Sequence, residues 1–101
     1  MGSIVYDGKS AIIEIEDRLL AHLRLVILAK FRRHEYFSFN WTDPASLGSG
    51  RGTVWLGPQI PVVFRFEGSR EPHINRAWVE ALMNAANSPA GLTAVPEPPE
   101  G

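Results

Sequence analysis

The segment 17–33 leaves this chain little choice about its core. Leu20, Leu23, Ile27 and Phe31 recur at helical spacing, with Leu19, Val26 and Lys30 beside them, so one broad stripe of an α-helix is apolar. Asp17 stands where a carboxylate accepts from the free N–H groups of the first turn. Lys30, Arg32 and Arg33 stand at the other end, where the partial negative charge of the helix favours cations. Leu25 and Leu28 fall outside the main stripe, which predicts cover on more than one side.

Upstream, residues 3–16 read as a β-hairpin around Asp7-Gly8, the two-residue signal of a type I′ turn in which both residues take positive φ. That turn predicts Tyr6 opposite Lys9, Ile4 opposite Ala11 and Gly2 opposite Ile13. Ile4, Ala11, Ile13 and Ile15 then share one face, with Ile12, Glu14 and Glu16 on the other.

Downstream, residues 36–41 alternate, with Phe37, Phe39 and Trp41 on one side and Tyr36, Ser38 and Asn40 on the other. Residues 42–52 are rich in Gly, Ser, Asp and Pro and read as a long surface loop. Short strands follow over 53–56 and 62–66, separated by a turn through Pro58 and Pro61. A second helix is expected from 72–75 to 86, with Ile74, Ala77, Trp78, Ala81, Leu82 and Ala85 as its stripe. Ser69 or Asn75 is placed to cap it, and Asn87-Ser88-Pro89 ends it.

The order β-β-α-β-β-β-α with short connections predicts an α+β fold: one five-stranded antiparallel sheet with two helices packed on one face. A chain of 101 residues has room for one domain, expected over 1–95, with a flexible Pro-rich tail over 96–101. Leu92 and Val95 are the tail residues able to dock, and one place for them is the outer sheet face.

Composition narrows the function classes. The formal net charge of −1 points to neither nucleic-acid binding nor an acidic surface. The absence of cysteine excludes a disulfide framework and thiolate metal sites. With no basic region followed by an apolar run, no secretory signal and no membrane span are expected, and the default location is cytoplasmic.

Six short pieces carry a likeness over the whole length: Tyr6-Asp7-Gly8, Leu20-Ala21-His22-Leu23, Phe37-x-Phe39-x-Trp41, the run from Gly52 to Pro61, Asn75-Arg76-Ala77-Trp78-Val79-Glu80-Ala81-Leu82, and Val95-Pro96-Glu97-Pro98. In these the chain resembles a family of small uncharacterised actinobacterial proteins whose members often bear an automatic label of ATP-dependent DNA ligase. The resemblance implies no catalytic or binding residues. Ligases of that kind resemble one another at a K-x-D-G motif whose lysine bonds covalently to AMP. Here Val5 stands at the lysine position, Lys9 lies on the other side of the turn, and a valine has no amine to adenylate.

Other candidates weigh little. Gly48-Ser49-Gly50-Arg51-Gly52 lacks the G-K-[ST] ending of a phosphate-binding loop and reads as a hairpin loop. Lys30, Arg32, Arg33 and His34 form the one basic cluster, and Arg33 and Arg51 are the candidate phosphate contacts. His22, His34 and His73 are scattered, with His22 expected on the polar side of its helix, so no metal, cofactor or catalytic set is expected.

The informative feature is the sheet face that the helices leave uncovered. It would carry Ile12, Tyr36, Asn40, Trp55, Val63 and Arg65, more apolar than a solvated face requires. The expectation is a non-enzymatic interaction module that associates with itself or another protein. The alternative is a single-stranded nucleic-acid-binding or DNA-ligase-associated accessory domain, stacking bases on Tyr36 and Trp55. Glu14 and Glu16 on the same face oppose that alternative.

Overall fold

A computed structural model describes residues 1–43, 48 and 50–100. Among the described residues, six strands and two α-helices run in the order β1 (Gly2–Tyr6), β2 (Ala11–Ile15), α1 (Asp17–Arg32), β3 (Phe37–Thr42), β4 (Arg51–Leu56), β5 (Val62–Arg65), α2 (Arg76–Ala86) and β6 (Leu92–Thr93). The α+β class holds. The single five-stranded sheet does not: the strands form two three-stranded sheets, β2-β1-β5 and β4-β3-β6.

The break falls between β4 and β5. Pro58 and Pro61 flank that turn without donor N–H groups, which weakens the ladder a β4–β5 hairpin would need at its start. The chain instead carries β5 to the free edge of β1, where Val62 pairs with Tyr6 and Arg65 with Ser3. The Asp7 N–H donates to the Pro61 carbonyl at 2.8 Å and closes the crossing.

The hairpin register also differs from expectation. Tyr6 pairs with Ala11, Ile4 with Ile13 and Gly2 with Ile15. Asp7 and Gly8 do take positive φ, 49° and 71°, but Lys9 follows at 112° and Ser10 completes a four-residue loop. The shift is two residues, so every side chain keeps its face. Ile4, Ile13 and Ile15 are buried, and Ile12 and Glu14 are exposed.

Helix α1 lays Leu20, Leu23, Val26 and Ile27 into a core with Ile4, Ile13, Phe37, Phe39 and Leu56, while Trp78, Leu82 and Ala86 of α2 close it. Asp17 does not cap α1. Its carboxylate accepts from the N–H groups of Gly68 at 2.8 Å and Glu67 at 3.2 Å, fastening the loop after β5 onto the helix. Asn75 is the cap of α2, accepting from Ala77 N–H at 3.0 Å and Trp78 N–H at 3.4 Å.

The C-terminal segment forms structure that was not expected. Leu92 is wholly buried, and β6 adds a parallel strand to β3 by pairing Phe39 with Leu92 and Asn40 with Thr93. It therefore joins the core and does not lie over the outer face of β2-β1-β5. Within the stretch expected as a tail, the Glu97 carboxylate and the Pro98 carbonyl accept from Arg18 and Asn75.

Candidate interaction surface

The outer residues expected on one continuous face divide between the two sheets. Ile12, Val63 and Arg65 lie on β2-β1-β5, whereas Tyr36, Asn40 and Trp55 belong to β4-β3-β6 and the residue before it.

On the first sheet, alternation turns Ser3 and Val5 outward between inward-facing Gly2, Ile4 and Tyr6. Val5 pairs with Ile12 on one side and Val63 on the other, giving one apolar row across all three strands. Ile12 is 57% exposed and Val63 50%, well beyond what β-branched residues need for their strand role. The adjacent row is Glu14, Ser3 and Arg65. A shallow groove of about 490 Å³ runs along the apolar row toward Lys9 and Pro61. Val5 is central to this surface and absent from the residues expected there. Its signal was available in the alternation of β1, where it shares a side with Ser3.

On the second sheet, Trp55 is 56% exposed and stacks on Tyr36 with ring centroids 6.3 Å apart and planes 13° from parallel. The Tyr36 hydroxyl donates to Gln59 Oε1 at 2.7 Å, and its ring lies over Gly57, where a Cβ would collide with it. Asn40 is occupied within the fold: its amide donates to the Ala90 carbonyl at 2.8 Å and its Oδ1 accepts from Thr53 at 2.6 Å.

The candidate phosphate contacts do not gather, since Arg33 lies just before the Phe37 end of β3 and Arg51 pairs with Thr42 at its other end. Arg33 faces Glu35 at 3.4 Å, and Lys30 is buried between Glu35 and Asn87 with its Nζ 5.4 Å from the Phe37 ring centroid. Arg51 opens β4 beside Thr42, on the other sheet from Arg65. Of the expected glycine-rich loop, Ser49 lies outside the described residues.

One constellation went unseen in the sequence. His22 is wholly buried, not on a polar side. Its Nε2 accepts from the Asn75 N–H at 2.9 Å, so the ring proton sits on Nδ1 and is donated to the Arg18 carbonyl at 2.7 Å. The imidazole packs on Trp78 with centroids 4.5 Å apart, and Trp78 Nε1 donates to the Val95 carbonyl at 2.9 Å. Arg18 grips both oxygens of Glu97, at 2.9 and 2.6 Å, while the Asn75 amide donates to the same carboxylate. The Arg18 guanidinium, aided by Asn75, holds the Glu97 carboxyl down at about 2. Every polar atom described here has a partner inside the chain, so the network's role is to fasten α1, α2 and the C-terminal segment together. Among the described residues no three His, Asp or Glu side chains are grouped as a metal would require, and no helix is long and apolar enough to cross a membrane.

Residues 1–97 match the family model described as a domain of unknown function (DUF7882), and the chain belongs to that family. No curated protein and no solved structure matches it.

Proposed function

We propose that this DUF7882 domain is a non-enzymatic interaction module that associates with a second copy of itself through the outer face of the β2-β1-β5 sheet. The observation that carries the reading is the outward apolar row Ile12–Val5–Val63, exposed at Ile12 and Val63 and half-buried at Val5 between them. A sheet face turned to water normally carries polar side chains at these positions. Burying such a row gains roughly 25 cal/mol per Å² of apolar surface, and a partner is the means of burying it. Val5 at the ligase-type lysine position belongs to the same row, so the residue that argues against adenylation is also one that favours contact.

Sedimentation equilibrium of the full chain, from about 1 µM to 1 mM, is the direct test. The expected result is a mass that rises with concentration, and that falls to the monomer value in Ile12→Glu while the circular dichroism is kept. Trp55→Glu, on the other sheet, is expected to leave the mass unchanged. A wild-type monomer at the highest concentration overturns the reading. Binding of a short oligonucleotide that needs Tyr36 and Trp55 would favour the nucleic-acid alternative.

A further inference from the structure

We propose that the two copies pack face to face about a two-fold axis that runs nearly parallel to β1 and passes over it, so that Glu14 of each copy meets Arg65 of the other. This rests on the self-association proposed above and adds its geometry and its specificity.

The register carries the inference. Val5 lies between Ile12 and Val63, and the next row places Ser3 between Glu14 and Arg65. An axis along β1 exchanges β2 of one copy with β5 of the other and leaves each row facing itself. Ile12 then meets the second copy's Val63, and Val5 meets its own equivalent. Glu14 meets the second copy's Arg65, and symmetry makes that contact twice.

An axis across the strands gives the opposite result. It keeps β2 over β2 and β5 over β5 and reverses the rows. Placed over the Ser3 row it sets Glu14 against Glu14 and Arg65 against Arg65, and placed over the Val5 row it forms no Glu14–Arg65 contact. Like charges brought together at an interface are penalised, and opposite charges select register. The first arrangement is the one the charges favour.

Both charges are free to serve in this way. Among the described residues neither Glu14 nor Arg65 has an ionic partner in its own chain. Within one sheet they are roughly 10 Å apart, two strand spacings, and they form no ion pair with each other. Aligned sheets pack about 30° off parallel, so the axis bisects that angle and lies roughly 15° from β1, which keeps the two central rows in contact. Three short strands make a small interface, so the dimer is expected to be weak and strongly concentration-dependent.

The test uses two charge reversals in the full chain. Glu14→Arg gives a copy with two cations at these positions, and Arg65→Glu gives a copy with two anions. Each variant alone is expected to self-associate about tenfold or more weakly than wild type, because two attractive contacts become repulsive. Mixed in equal amounts, they are expected to form a one-to-one heterodimer at least as tight as the wild-type homodimer. The double variant Glu14→Arg/Arg65→Glu is expected to recover homodimerisation.

Failure separates into two kinds. If both variants and their mixture associate like wild type while Val5→Glu is monomeric, the face is correct and this axis is wrong. If the two folded variants are monomeric and remain so on mixing, the Glu14–Arg65 contact is overturned. A wild-type monomer at about 1 mM overturns the self-association itself.

Discussion

The backbone N–H of Asn75 donates to the imidazole of His22 across 53 residues of sequence, inside the protein and at 2.9 Å. The same Asn75 side chain caps α2 and holds Glu97, while the other nitrogen of His22 is spent on its own helix. One buried pair thus sets the register of α1 against α2 and the place where the C-terminal segment returns.

His22→Leu should therefore cost more than its size change suggests. The leucine fills much of the space beside Trp78 but leaves the Asn75 N–H without an acceptor in a dry site, a loss of about 1–3 kcal/mol. Urea denaturation monitored by Trp fluorescence would measure it. A difference within about 0.5 kcal/mol of wild type would show that the histidine is only a spacer.

That network marks where sequence reading stopped. The first five strands and both helices were legible, because alternation and helical periodicity are local. The two-residue β6 was not, since it exists only through its pairing with β3. The two-residue error at Asp7-Gly8 was harmless for the faces, since side-chain direction repeats every two residues. The pairing of β5 with β1 was hidden, because strand partners depend on a crossing of the whole chain and not on any one segment. His22 was misplaced for a similar reason: a polar residue on a helix looks solvent-facing until the element that covers it is known. Of the candidate surface, Ile12, Val63 and Arg65 were recognised as outward-facing, and Val5 was missed although its alternation was plain. Only the topology could separate them from Tyr36, Asn40 and Trp55.

The core itself gives a second prediction. Leu23→Ala and Phe39→Ala each delete buried volume and should each destabilise by about 2–5 kcal/mol. Both side chains lie in the one core cluster between α1 and the strands. Chemical denaturation showing losses under about 0.5 kcal/mol at both sites would contradict that packing.

The response to acid follows from Glu97. Its carboxyl sits at about 2 in the fold, against an ordinary 4.5, chiefly because Arg18 donates to it. A depressed value means the folded state favours the ionised form, so the stabilisation is fully present above pH 4.5 and is lost as the pH falls toward about 2. Asp17 is lowered too, by the N–H groups of Gly68 and Glu67, and adds a loss of the same sign. Glu97→Gln should flatten part of the stability profile below pH 4.5 and leave the Asp17 part in place. Denaturation series from pH 7 to pH 2.5 on both proteins would show it, and superimposable profiles would refute it.

Incubation with ATP and Mg²⁺ should leave the intact mass unchanged. The position a ligase lysine would occupy is Val5, paired with Ile12 and Val63 in mid-sheet, and Lys9 sits in the hairpin loop. An adenylyl addition mapped to Lys9 would overturn that expectation.

The last prediction concerns the C-terminal segment. Had it lain over the outer sheet face, removing it would have exposed the apolar row and altered association. In the structure Leu92 enters the core, the Val95 carbonyl receives Trp78, and Glu97 receives Arg18, all away from Ile12 and Val63. Leu92→Ala should then lower stability by about 2–5 kcal/mol, as for other fully buried leucines. Ending the chain after Ser88 removes all three attachments and should abolish a cooperative unfolding transition, since total stabilities are only about 5–15 kcal/mol. Leu92→Ala should nonetheless sediment with the same concentration dependence as wild type wherever it is folded. A truncated chain as stable as the full one would show that β6 contributes nothing to the core, and a change of mass in Leu92→Ala would return the segment to the outer face.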